Sequence, residues 1–581
     1  MGTLLAVVVA LISLITSSYY SSYLRLPATY IPRISLTDDS ERWSCRPFLP
    51  NLFEQTPPSP AKPAIQNALQ SLDRYLNSRF AKGDIDSLSV AVVTADGPLY
   101  ERNFGVMRGN KTGSPPTSSH SMYRISSTAK LFPILEGLIL EQKGIIAWDD
   151  PVDKYLKDFT YRIDGLDPQI PVAEDERAPI SLFQLATHFS GLGRDWPPGT
   201  VANWPHDMFG GGPPPTNGHP FPTKEALLTA IAQHHLTSPP WFYPAYSNTG
   251  TASLALALAV ASSDAAGEGS VISFADLVKR DIFEPMGLNG SHFLTTEENK
   301  HLVVVPSLAP EVADQDFLDP MNPAAGQFSS LSDLITVTQT LLNPRHPKSQ
   351  LKPWARDKWL HTTVRAFEED DWTELGLMWE IIKAPDANGR LRKIYWKLGA
   401  MAGYHSALAI HPGTGYGIVL LMAGRYPDAA ALTYDAFGIL QPGIDAALAD
   451  LATELYAGQW QDESAGGSGE PALSNSARVV VEKGTLYIEQ LSLLGVDALQ
   501  KFGAQGRLAL RPSGRRDEFR LDTGIPGYNG KKHMGCYPYW NGQDLWGVRN
   551  NAAINALYWS GPSGEGRRLH VPSLGIVMRR V

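Results

Sequence analysis

A chain of 581 residues with 43% hydrophobic and 19% charged side chains has the make-up of a globular protein and is too long for one ordinary compact domain. Its formal net charge of -9, with no compensating run of Lys and Arg, excludes a nucleic-acid partner, whose phosphates demand a basic face.

The first charged side chain is Arg25. Leu4 to Thr16 (LLAVVVALISLIT) is apolar but shorter than a membrane span, and small residues follow it, the pattern of a cleaved secretory signal. If Tyr19 to Leu26 join the run it becomes long enough for a signal anchor. Residues 1–26 are therefore expected to be a signal peptide or a signal anchor, with membrane contact only through that anchor. Residues 27–64 are a Pro-rich arm (IPRISL, CRPFLP, TPPSPAKP). From Ala64 to Phe80, Ile65, Leu69, Leu72, Tyr75 and Leu76 recur at helical spacing. Ser87 to Thr94 (SLSVAVVT) is a β-branched run that turns at Ala95-Asp96-Gly97 into PLYERNFGV, which predicts a hairpin. Residues 124–157 read as helical after Tyr-Arg-Ile and turn through Trp148-Asp-Asp-Pro151.

Gly191 to Pro222 is a Gly/Pro/Trp-rich stretch, too long for a simple connection, and reads as a lid, a binding-site wall or a decorative insertion. Its aromatic residues Trp196, Trp204 and Phe209 suggest a bulky or apolar acyl partner. Helical patterns return at 223–236, 249–262 and 273–287, and strand patterns dominate 377–425. A β start, a helical middle and a β finish predict one antiparallel sheet assembled from both ends of an α/β (α+β) domain, with helices packed on it. That domain is expected to span 65–460. A linker at 461–471 (QDESAGGSGEP) then leads to short strands with turns, expected to form a separate all-β domain over 472–581.

The two cysteines, Cys45 and Cys536, lie at opposite ends of the chain. They either pair in an oxidising compartment or remain as two buried thiols. The sequons Asn110-Lys-Thr112 and Asn289-Gly-Ser291 fit a secreted, glycosylated protein, although such triplets are also common by chance.

Three short stretches could carry chemistry. In Ser127-Thr-Ala-Lys130 the lysine falls beside the serine on a helix, and a serine hydroxyl needs a base within reach to act as a nucleophile. Burial and a second nearby cation would help that lysine to lose its proton. Ser-x-x-Lys also occurs at Ser59/Lys62 and Ser349/Lys352, but both are Pro-flanked, and only Ser127 opens an apolar helix (LFPILEGLIL). Pro133 must kink that helix or force a tighter first turn. Tyr246-Ser247-Asn248 precedes the apolar helix TASLALALAV. Alone it reads as a turn and helix cap; with lysines nearby, the phenol could shuttle protons and the Asn248 amide could orient a substrate carbonyl or Lys130. In Lys397-Leu398-Gly399 the lysine is either a solvated strand end or the second cation, and the glycine would let a substrate backbone approach closely.

Their order, S-x-x-K then Y-x-N then K-x-G, resembles the serine β-lactamase/penicillin-binding-protein family, in its class C β-lactamase and esterase branch. Tyr123–Ser127, Gly144–Pro151, Leu185–Leu192, Ile282–Leu288, Ala325–Asp333 and Gly403–Ser406 are similar to that branch as well, so the resemblance covers roughly 65–455. The arm and the extra β-domain look like those of large fungal members. The resemblance implies Ser127 as nucleophile, Lys130 as its base partner and Tyr246 as proton shuttle. It implies that Asn248, Lys397 and Gly399 contact substrate, and that the N–H groups of Ser127 and Ala400 form an oxyanion hole. Leu398 stands where a hydroxyl residue is common in true β-lactamases, which implies poor binding of carboxylate-bearing antibiotics.

His188 is expected to be a structural loop residue, because a lysine already fills the base role. No His/Cys/Asp/Glu spacing suits a metal and no Gly-rich loop suits a nucleotide, so no metal or other cofactor is expected. The expected activity is hydrolysis of an ester, amide or thioester of a small-molecule acyl substrate. The alternatives are acyl transfer to a small acceptor, as in secondary metabolism, and a catalytically silent binding protein of the same fold. The sequence leaves the oligomeric state open.

Overall fold

The computed structural model describes residues 45–167, 169–170, 179–462, 475–504, 506–525 and 535–581. The leader, the arm up to residue 44 and most of the expected linker lie outside the described residues.

The predicted hairpin forms from β1 (Ile85–Thr94) and β2 (Gly97–Gly105). Met122–Arg124 (β3) and Phe328–Ser330 (β4) make a small ribbon of their own. Arg365–Ala366 (β5), Glu374–Leu375 (β6), Glu380–Pro385 (β7), Leu391–Met401 (β8), Tyr404–His411 (β9) and Tyr416–Gly424 (β10) follow. One antiparallel sheet in the order β2-β1-β10-β9-β8-β7-β6-β5 results, with β1 pairing directly with β10 (Val90 opposite Leu420). Both ends of the domain thus meet in the sheet, as the distribution of strand patterns predicts.

Because side chains alternate across a strand, the sheet separates two cores. Ala91 and Val93 of β1 and Tyr395 of β8 face a helical layer. That layer includes α1 (Leu131–Gln142), α2 (Asn248–Ala266) and α3 (Leu331–Leu342). Helix α2 is buried at every position from Thr249 to Ala259, as a helix apolar all round must be. Val90 and Val92 of β1 and Ile394 and Trp396 of β8 face the other way. They pack with the helices Pro63–Phe80 and Ala429–Tyr456.

The C-terminal strands form a nine-stranded sheet, and here two expectations are corrected. Gly458–Asp462 belongs to this sheet, pairing with Ser476–Glu482 and with Ile576–Arg580, so the boundary expected at 460 falls inside a strand. The sheet is not a separate body either. Trp460, Ile488, Trp559 and Met578 are continuous with the apolar core under Ala429–Tyr456 and the first sheet. Apolar inner faces on both partners make separation costly, since each would expose its buried surface. Cys45 and Cys536 form a disulfide.

Candidate active site

Strand β3 delivers the chain to Ser126, which is in the left-handed region (φ 51), a conformation costing a non-glycine residue about 1–2 kcal/mol. Ser126–Lys130 then form a 3-10 turn before α1 begins at Leu131. This is the tighter first turn that Pro133, without an N–H, calls for. In a 3-10 turn residues three apart eclipse, and Lys130 Nζ lies 3.0 Å from Ser127 Oγ. The turn is stapled to the sheet. The Thr128 hydroxyl lies 3.2 Å from the Lys397 carbonyl oxygen and 2.8 Å from Ser406 Oγ, and Ser406 donates onward to the Ile125 carbonyl at 2.6 Å.

Packing within the chain itself requires Gly399. A Cβ there would stand 2.2 Å from the Ile125 carbonyl oxygen and 2.4 Å from Ser406 Oγ. The glycine admits the backbone that leads to Ser127. Ala400 follows it on β8, and its neighbouring backbone is thereby held against the same segment.

Beneath the turn, fully buried Arg124 donates to the carbonyls of Gly326 (2.5 Å), Phe293 (3.2 Å) and Val312 (3.3 Å), and to Gln315. Its charge is met by dipoles and by the Phe328 ring 3.9 Å away, and burial lowers its pKa to about 10. This guanidinium fixes the segment that presents the Ala324 carbonyl, which accepts from Lys130 Nζ at 2.6 Å.

Ser247 caps α2 by accepting from Gly250 N at 2.8 Å, so the cap reading of the Tyr-Ser-Asn stretch holds. Tyr246, just ahead of the cap, enters the site as well. The ammonium groups of Lys130 and Lys397 each lie 5.1 Å from its ring centroid. Burial alone would raise the phenol pKa. The two ammonium groups outweigh burial, with Glu380 opposing them and the Ser127 hydroxyl assisting, and the pKa falls to about 8. Lys130 is pushed down from the ordinary lysine value by burial, aided by Lys397 and opposed by Tyr246. Lys397, equally buried, is pushed up: burial lowers it, but Glu380 and Tyr246 more than compensate. Its Nζ donates to Glu380 Oε1 at 2.5 Å and to the Leu398 carbonyl at 3.1 Å.

Asn248 donates through Nδ2 to Asp195 at 2.6 Å, while its Oδ1 is buried without a hydrogen-bond partner. Asp195 and Arg194 come from the Gly191–Trp196 loop, tied to α2 because the Arg194 carbonyl accepts from Asn248 N (2.8 Å) and Thr249 N (3.2 Å). The Arg194 guanidinium lies 4.7 Å from the Tyr246 centroid. His188 accepts at Nδ1 from Ser247 N (3.2 Å), and its ring stands 4.7 Å from that of Tyr246. Burial, with Lys130, Lys397 and Arg194 nearby, holds its pKa well below the ordinary histidine value. It is a neutral buttress for Tyr246. Of the insertion's aromatic residues, Trp196 is buried against His234, whereas Trp204 and Phe209 are exposed.

The structure thus brings Ser127, Lys130, Tyr246 and Lys397 together and sets Asn248, Gly399 and Ala400 beside them. Sequence reasoning missed Glu380, Arg194, Asp195 and the Ala324 carbonyl. Glu380 was signalled by being the sole charge within LMWEII, and Arg194-Asp195 by being a charged pair in a loop of Gly and Trp.

The sequence model of the Beta-lactamase family matches residues 72–440. Beta-lactamase-like protein str6 of Strobilurus tenacellus is 35% identical over 316 residues, covering 52% of this chain and 97% of that protein. Beta-lactamase-like protein str5 of the same organism is 38% identical over 226 residues, covering 38% of this chain and 80% of that protein. Among solved structures, the octameric penicillin-binding protein homologue from Pyrococcus abyssi shares the fold (TM-score 0.50, 16% identity), covering 88% of this chain and 99% of that one. The chain belongs to the beta-lactamase family, whose members are serine hydrolases.

Proposed function

We propose that the protein hydrolyses an ester, amide or thioester of a small acyl substrate through an acyl-enzyme on Ser127. The observation that carries this is the 3.0 Å contact between Lys130 Nζ and Ser127 Oγ, beside a phenol whose pKa is lowered to about 8. A base is most effective when its pKa lies near the working pH, and Tyr246 meets that condition. As Ser127 Oγ bonds to the carbonyl carbon, its proton passes to this pair and the carbonyl π electrons move onto oxygen. The N–H groups of Ser127 and Ala400 are the donors we assign to that oxyanion; one such donor is worth about 2.7–4 kcal/mol in the transition state. Collapse expels the leaving group, which takes the proton, and water repeats the sequence to release the acid. If a small alcohol or amine replaces water, the same steps give acyl transfer.

A secretory location is part of this reading and is supported by the Cys45–Cys536 disulfide, since such bonds persist in oxidising compartments. Asn110 and Asn289 are both exposed, which supports glycosylation there.

The test is a fluorophosphonate probe with peptide mapping. An adduct at Ser127, absent in Ser127→Ala, is the expected result. A folded protein that never labels would favour the silent binding reading. Product analysis of p-nitrophenyl esters with and without alcohol acceptors separates hydrolysis from transfer.

A further inference from the structure

A lysine ammonium has three donors, and both lysines at this site are buried and engaged. Lys397 donates to Glu380 and to the Leu398 carbonyl, and its side chain is 1% exposed. Lys130 donates to Ser127 and to the Ala324 carbonyl. Leu398 offers no hydroxyl, and one N–H of the Asn248 amide is held by Asp195. Each of these polar side chains already has a partner inside the protein.

Arg194 also sits beside a carboxylate but is open to solvent. Its side chain is 60% exposed, with Nε 3.4 Å from Asp195 Oδ2. Among the described residues its two terminal nitrogens make no hydrogen bond. The backbone beneath it is pinned to α2, and the guanidinium rests on the Tyr246 ring, whose centroid is 5.1 Å from both ammonium groups. A planar, pre-oriented pair of donors at the open side of a reacting centre suits a carboxylate, which guanidinium binds in a fork.

We propose that Arg194 recognises a carboxylate on the substrate, close to the reacting carbonyl, and that Lys397, already neutralised by Glu380, does not. This rests on acyl transfer to Ser127. The carboxylate belongs either to the acyl chain or to the leaving group, and matched esters tell these apart.

The experiment compares kcat/KM for three esters on the full chain. They are neutral p-nitrophenyl butyrate, the p-nitrophenyl monoester of succinic acid, and the butyrate ester of a carboxylated nitrophenol. For one of the two anionic esters, the ratio to the neutral ester should fall about 10- to 100-fold in Arg194→Met, the range for a charge-assisted hydrogen bond. Arg194→Lys should retain part of the preference, and the ester that suffers identifies the side on which the anion sits. Unchanged ratios for both anionic esters in Arg194→Met would overturn the assignment. Fluorophosphonate labelling in parallel keeps the two readings distinct. Normal labelling at Ser127 with unchanged ratios sinks Arg194 alone, whereas a folded wild-type chain that never labels sinks the acyl-enzyme and Arg194 with it.

Discussion

The surroundings of Lys130 and of Lys397 differ by one carboxylate. Both ammonium groups are buried, both lie 5.1 Å from the Tyr246 centroid, and both donate to a backbone carbonyl. The remaining partner of Lys130 is a neutral hydroxyl, and its pKa falls; that of Lys397 is Glu380, and its pKa rises. Burial taxes a charge in either place, and only a carboxylate close by reverses the outcome. One lysine is thereby prepared to give up a proton while the other keeps its charge and holds the phenol acidic. A single strand position, Glu380 on β7, divides the labour.

Replacing each group should break that comparison to a different extent. Lys130→Met removes the base partner and should lower kcat/KM by about 10²- to 10⁴-fold, the usual weight of a positioned acid–base group, measured with an activated ester. Lys397→Met removes one of the two cations that lower the Tyr246 pKa. About 10- to 100-fold is expected, the range for a charged hydrogen bond, with the rising limb of the pH profile moved to higher pH because Tyr246 loses one of the charges that lower its pKa. Glu380→Gln removes the carboxylate that offsets the burial of Lys397 and should lower kcat/KM less than Lys397→Met does, because the cation is weakened and not deleted; the two variants measured side by side check that order. Smallest in activity is Ser406→Ala. It removes one of the two donors to the Ile125 carbonyl, the other being Thr128 N, together with the contact to the Thr128 hydroxyl, and should cost about 0.5–1.5 kcal/mol of stability, visible in chemical denaturation.

The sheet and its closure from both chain ends were legible because β1, β8, β9 and β10 are β-branched or apolar runs bounded by Gly and Pro turns. The Ser127–Lys130 pairing was legible because it is local, set by helical spacing within four residues. Glu380 was not: its partner lies 17 residues away on the next strand, and register decides whether the two meet. Arg194 was hidden for a related reason, since its place on Tyr246 depends on loop carbonyls bonding the start of α2. Gly399 was legible as a close-approach glycine, but what approaches is the chain itself, from some 270 residues earlier. The joining of the C-terminal strands to the main core was obscured by the Gly/Ser-rich stretch, which reads as a boundary although Gly458–Asp462 ahead of it already belongs to the second sheet.

The most direct test of the central claim is the pH dependence of Ser127 phosphonylation in the wild type and in Lys130→Met. The wild-type rate should rise through an apparent pKa near 8, the value to which Tyr246 is lowered, and folded Lys130→Met should lose most of that rate. A folded Lys130→Met protein that labels at the wild-type rate, or an adduct mapped to any residue other than Ser127, would contradict it.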